Sequence, residues 1–511
     1  MRKLLIFLFL GCLASCYSPK AKPIKTLRLN LQEGDLPSLH PHHLQLHIRG
    51  YTIAKALFEG LTRINQEGEA ELTGAENVEI SPCKTKYTFT LRSYKWSDGT
   101  PVTAYHFEKA WKEALAPDAN CQRADLLYVI KNASLAKKGE KPLDEIGVKA
   151  LDEMTLFVEL AVYAPYFLEL ISQPIFSPLK ELKEEPTAFN GPFIVKRWEK
   201  ESSLCLRPNP NYWDSKNIAL GEIDIKMVTD PNTALYLYEK NKIDWIGEPL
   251  SALPTEALIQ LQTKQQKVVR PYWIYINNTC PQLQSPSIRQ ALSQVIDRTA
   301  VAEHIFIGAS PLCTPLPLQM SSLSNASKKV DIEKAKQLFE QGLLELGLSR
   351  KTFPPLTVSY SHQARRKALA EYLKQTWENA FGIEIKLEGS DWNNFYSNLR
   401  EGRYEIAGCY VNSCINDPIE LLERMKDDNA INYCNWIDET YRENLEKANK
   451  TDSFEIRKGF LKEAEKILDK QAPIIPVINQ NHNFVHTPQL KGYIVNHAGS
   501  IDFSRAYFSN E

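Results

Sequence analysis

The stretch 356–410, LTVSYSHQARRKALAEYLKQTWENAFGIEIKLEGSDWNNFYSNLREGRYEIAGCY, decides the fold of this chain. Leu356, Val358 and Tyr360 alternate with smaller polar residues, the period of a half-buried strand. Leu369, Leu373, Trp377 and Ala380 then recur on one face of a predicted helix, and Gly382 follows as the glycine that stops it. Ile383, Ile385 and Leu387 alternate again, 391–401 fits a short helix, and 404–410 reads as a third strand. Strand, helix, strand, helix, strand at this spacing predicts mostly parallel pairing through right-handed crossovers. The fold class is therefore α/β. Ligands of such lobes lie at the carboxyl ends of the strands, here just after Ala407, where Trp392, Tyr396, Tyr404 and Tyr410 cluster.

Working outward, 27–31, 87–91, 155–160, 194–198, 204–207, 223–228 and 243–246 read as strands. Residues 194–198 and 204–207 are spaced as a hairpin opened by Gly191-Pro192-Phe193. Helices are predicted over 51–61, after Thr103 as a cap, and between 228 and 243. With 511 residues the chain exceeds one compact core and splits into two or three domains. Hydrophobic content of 43% and charged content of 24% are ordinary for a water-soluble body. A formal charge of −1 gives no field for nucleic acid.

The amino terminus carries its own signal. Arg2 and Lys3 precede an apolar run, 4–13, and Leu13-Ala14-Ser15-Cys16 follows. The run is too short to span a bilayer and has the layout of a secretory signal. It resembles the lipobox of bacterial lipoproteins, which implies cleavage before Cys16, lipidation of Cys16 and a lipid-tethered chain in the cell envelope. Residues 1–15 are then the signal peptide and 16–25 the tether. Export makes one or two disulfides plausible among the later cysteines. No C-x2-C pair suggests a zinc ribbon.

Signatures of catalysis are absent: no G-x-S-x-G, H-E-x-x-H, P-loop or G-x-G-x-x-G occurs. The reading is not an enzyme and no cofactor. His40, His42, His43 and His47 fall within eight residues. Imidazoles bind zinc, nickel and copper, so this cluster is the one metal-site alternative; a solvated loop before a helix is the preferred reading.

Several ordered motifs resemble family 5 extracellular solute-binding proteins, the oligopeptide- and dipeptide-binding components of ABC importers. They are Phe58-Glu59-Gly60-Leu61-Thr62, Tyr87-Thr88-Phe89-Thr90-Leu91-Arg92, Lys95-Trp96-Ser97-Asp98-Gly99-Thr100-Pro101, Gly191-Pro192-Phe193, Asn209-Pro210-Asn211-Tyr212-Trp213-Asp214, Ser287-Ile288-Arg289-Gln290-Ala291-Leu292 with Ile296-Asp297-Arg298, and Phe381-Gly382-Ile383-Glu384-Ile385. The resemblance implies a periplasmic-binding-protein type II-like two-lobe fold with an additional inserted domain. Lobe I would take 24–57, 186–271 and 476–511, the inserted domain 58–185, and lobe II 272–475. Two crossover segments, near 272–277 and 473–479, would form the hinge. It further implies a short peptide ligand, an ABC permease as partner, a membrane contact through the lipid, and a monomer.

By the same resemblance, an extended peptide would pair with Tyr410-Val411-Asn412-Ser413, ahead of Asp417-Pro418, and with lobe I near Leu39 and His40; Trp392 flanks that site. Many members place an aspartate four residues before that proline to meet the ligand's ammonium, and here the position is Cys414. Either Asp417 or Glu420 supplies the charge, or the ligand lacks a free amine there, which opens modified peptides, cell-wall-derived peptides or a chelated metal. His362, Arg365, Arg366 and Arg403 are candidates for the ligand carboxylate, since arginine grips one with two bonds. The alternatives are a nickel or metal-chelate carrier and a surface interaction lipoprotein that kept the fold.

Overall fold

The computed structural model describes residues 25–32, 36, 38–44, 48–121, 123–181, 185–323, 329–427, 429 and 431–510. The signal 1–15, Cys16, all but the last residue of the tether, and His47 lie outside them.

Leu356–Ser361 pairs in parallel with Ile385–Ser390 on one side and with Ile406–Tyr410 on the other. The helix Ala364–Phe381 crosses between the first two strands. It buries Leu369, Leu373, Trp377 and Phe381 against them, and Trp377 Nε1 donates to Leu292 O at 2.9 Å. Gly382 closes this helix at φ 68°, the left-handed conformation that costs a glycine nothing.

These strands belong to a seven-stranded sheet. Its spine is two long antiparallel strands, Lys264–Ile276 and Ile474–His486. Tyr272 to Ile276 pair with Ile406–Tyr410, whereas the far end of Ile474–His486 pairs with Trp245–Gly247. The register of the spine slips between Lys267 and Pro271. Asn479 fills the gap with its side chain: Nδ2 donates to Val268 O at 2.8 Å and Oδ1 accepts from Arg270 N at 3.1 Å. The amide thus satisfies backbone groups that a bulge would leave buried and unpaired.

A second sheet has four strands in the order Thr26–Asn30, Glu222–Lys226, Ser203–Pro208, Phe193–Glu199. The last two form the hairpin that the sequence spacing suggests. A separate four-stranded antiparallel sheet is built within 75–159, from Ala75–Ile80, Lys86–Leu91, Thr155–Glu159 and Val148–Ala150, and the helix Ala104–Ala114 packs on it. Phe107 and Trp111 of that helix are fully buried, and Trp111 Nε1 donates to Phe176 O.

The disulfide expectation is corrected. All eight described cysteines, Cys83, Cys121, Cys205, Cys280, Cys313, Cys409, Cys414 and Cys434, are free thiols. The buried ones are packing residues; Cys434 Sγ donates to Pro473 O, and burial pushes its thiol up to about 12.

Candidate functional site

A chamber of about 410 Å³ opens where the spine meets the strand Ile406–Tyr410. Its wall includes Arg49, Glu248, Arg270, Arg366, Tyr410, Asn412 and His482. A small adjoining cavity of about 40 Å³ shares Glu248 and adds Arg365 and Gln480. A larger groove of about 930 Å³ lies elsewhere, against Gln290, Lys334 and Lys470, and shares no residue with the chamber. We place the site in the smaller one, because polar groups without protein partners converge there.

Sheet pairing explains why Tyr410 and Asn412 face a ligand space. Val411 N donates to Pro271 O at 2.9 Å and Ser413 N to Val269 O at 3.3 Å. In an antiparallel ladder alternate residues point their backbone groups to opposite edges. Those of Tyr410 and Asn412 therefore point away from this neighbour. The strand on the other side, Leu356–Ser361, registers only with Ile406 and Ala407. The edge at 410–412 thus has no strand beside it among the described residues, although Asn412 O accepts from Arg424 Nη2 at 3.1 Å. Asn412 Oδ1 is buried without a hydrogen bond. Tyr410 Oη donates to Gln480 Oε1 at 3.0 Å, and burial pushes its phenol up to about 12.

Glu248 is held by Asn483 N at 3.2 Å and Gln480 Nε2 at 3.5 Å. Burial raises its pKa, and the Arg270 charge opposes that rise. Arg270 lies over the Tyr410 ring, Cζ 4.6 Å from the centroid. Arg366 lies over Trp392 at 4.8 Å and donates to Ser361 Oγ. His482 is buried with Nδ1 unpartnered, and burial, then Arg270, hold its pKa down at about 3.

The other sequence candidates fall in several places. Ser413 Oγ lies 2.6 Å from Glu420 Oε2, which also accepts from Cys414 N at 2.7 Å and Ile415 N at 3.0 Å. Cys414 is buried; its Sγ accepts from Arg123 Nη1 at 3.0 Å, and its carbonyl accepts from Gln173 Nε2 and His497 Nε2. Both Asp417 oxygens are taken by Arg457 at 2.8 Å, and Oδ1 also caps Pro418–Leu422. Val411 is buried in the sheet extension, and Trp392 is 43% exposed, stacked on Tyr396. His362 is exposed beside Tyr360, and Arg403 pairs with Glu401 and Asn398, away from the chamber.

Leu39 and His40 are buried, with Leu39 N donating to Glu185 Oε2 at 3.2 Å. His40 stacks on His43 at 4.4 Å, and burial holds its pKa down at about 3. His42 Nδ1 meets Glu113 Oε2 at 3.1 Å. Among the described residues no group of three or more His, Cys, Asp or Glu side chains is arranged to hold a metal ion.

Sequence reasoning missed Glu248, Arg270 and His482. Two signals were legible: Arg270 interrupts the apolar run Val268-Val269 to Tyr272-Trp273, and Asn479-Gln480-Asn481-His482-Asn483 is a polar run inside a buried strand.

Two lobes around a polar chamber define a solute-binding protein of the type II-like two-lobe class. The family model of bacterial extracellular solute-binding proteins, family 5 Middle, matches residues 71–433, and the chain belongs to that family. It is 33% identical over 506 residues to the oligopeptide-binding protein OppA of Bacillus subtilis, covering 94% of this chain and 92% of that one. The dipeptide-binding protein DppE of the same organism is 29% identical over 472 residues, covering 88% and 86%. The crystal structure of an oligopeptide ABC transporter substrate-binding domain from Bacillus anthracis superposes with a TM-score of 0.76 at 26% identity, covering 94% and 99%.

Proposed function

We propose that this chain captures short peptides between its lobes and delivers them, unaltered, to an ABC permease. The observation that carries the reading is the strand edge at Tyr410 and Asn412, which has no strand beside it among the described residues, on the wall of a chamber of about 410 Å³. A peptide entering as an added strand finds backbone partners there, which gives affinity without reading side chains. The full-length likeness to proteins named for binding oligopeptides and dipeptides supports it.

On this reading 24–57, 186–271 and 476–511 form lobe I, 58–185 the inserted domain and 272–475 lobe II. The two crossover segments, near 272–277 and 473–479, bend as the lobes close. The chain works as a monomer without cofactor or chemistry of its own, tethered in the envelope by lipid on Cys16. Calorimetry of the purified chain against a pool of random tetrapeptides tests the function. Saturable binding with intact peptide recovered by mass spectrometry supports it; no binding, or cleaved peptide, overturns it. Labelling by an alkynyl fatty acid that vanishes in Cys16→Ser tests the anchor.

A further inference from the structure

We propose that the chamber selects peptides carrying an acidic side chain, whose carboxylate is taken by Arg270 and Arg366. The proposal rests on the peptide reading above and names the substrate class of that same site.

Three arginines, Arg270, Arg365 and Arg366, face the chamber and its side cavity, against one carboxylate, Glu248. None of the three forms an ion pair with any described residue. Arg49 also lines the wall, but its Nη1 donates to Gln32 O and it has further partners, so it is left out of the balance. The guanidinium of Arg270 makes no hydrogen bond to the described protein, and its Nε is buried. It lies over the face of Tyr410, with Glu248 and His482 near enough to feel its charge. Arg366 is 8% exposed, gives a single hydrogen bond to Ser361 Oγ, and its Nε is likewise buried and unpartnered. Guanidinium carries five donors in a planar fork that matches a carboxylate. Leaving such donors buried without acceptors is costly. The other titratable wall groups, His482 and Tyr410, are neutral beside Arg270 and offset nothing.

The charge count decides what the ligand must bring. Glu248 balances one arginine at most. A peptide's terminal carboxylate balances a second. One of the three positive charges is then left over, and an aspartate or glutamate side chain is the group in a peptide that neutralises it and accepts its hydrogen bonds.

The test is calorimetry on the purified full chain with tetra-alanine peptides in which Glu is walked through each position. Each has a Gln counterpart and a C-terminal amide. At one position Glu binds at least about tenfold more tightly than Gln, about 1.4 kcal/mol. In Arg270→Gln or Arg366→Gln that ratio collapses toward one. Equal affinity of Glu and Gln peptides at every position overturns the acid preference and leaves peptide capture standing. A tenfold loss on amidation with none on Glu→Gln assigns the arginines to the chain end and also overturns it. Failure of every peptide, including the random pool, removes the peptide reading itself.

Discussion

At the scale of residues, the neighbourhood of Cys414 is a network of committed charges. Asp417 is locked to Arg457, whose side chain is 3% exposed. Removing one partner of a buried pair strands the other, at a cost of about 3–5 kcal/mol. Asp417→Ala should lower the urea midpoint accordingly; an unchanged midpoint with weakened peptide binding would make Asp417 a ligand group instead. Glu420 Oε2 is taken three times over, and Oε1 lies 3.8 Å from Arg123. Asp417 is spent on Arg457, and Glu420 shares its charge with Arg123, although its Oε1 is buried without a hydrogen bond. N-acetylation of a bound peptide should therefore change its affinity by less than about threefold, or less than about 0.7 kcal/mol. A loss beyond tenfold would return an anchoring carboxylate to the site.

The buried histidines set a pH dependence. His40 and His482 have pKa values lowered to about 3, chiefly by burial, so both stay neutral in the native protein. In the unfolded chain they protonate near pH 6.5. The unfolded state then binds more protons, so stability is full above about pH 6.5 and falls as pH drops toward about 3. Each histidine adds a slope of at most about 1.4 kcal/mol per pH unit. Urea unfolding between pH 7.5 and 4.5 should show the loss, and His482→Gln should flatten it. An equal slope in the variant would assign the effect to other groups.

At the scale of elements, the sheet edge and one helix end are the informative pieces. If a ligand adds as a strand beside 410–412, alternate backbone amides of the peptide face the protein. Peptides N-methylated at successive positions should lose affinity by at least about tenfold at alternate sites and little between them. Uniform losses would argue for recognition through the ends alone. Gly382 has no atom within 4 Å of an added Cβ, so Gly382→Ala meets strain only in the backbone, at φ 68°. It should cost about 1 kcal/mol by denaturation without touching ligand affinity.

Across the whole molecule, contacts on Cys414 and its neighbours tie remote parts of the chain together. Arg123, Gln173 and His497 all reach Cys414, and Glu169 Oε1 takes Asn416 N at 2.7 Å. These bonds join residues 123–173 and the C-terminal His497 to the stretch that follows the strand Ile406–Tyr410. If the lobes close over ligand as proposed, these bonds would bias that motion without contacting ligand. Small-angle scattering of the apo chain should give a larger radius of gyration for Arg123→Gln than for the native protein, and saturating peptide should bring the two together. Identical apo curves would mean that the contact is packing only.

The α/β alternation of 356–410, its parallel pairing, the glycine stop and the hairpin after Gly191 were all written in local periodicity and turn chemistry, because those depend on residues a few positions apart. The motif series carried the family for the same reason. Tertiary structure alone decided the chamber. Glu248, Arg270 and Arg366 are distant in sequence, and only the pairing of two long strands across a register slip brings them to one wall. Whether a charge is a surface charge or a site charge follows from which groups surround it. Arg366 and Arg403 look alike in sequence, but one faces the chamber and the other is spent on Glu401.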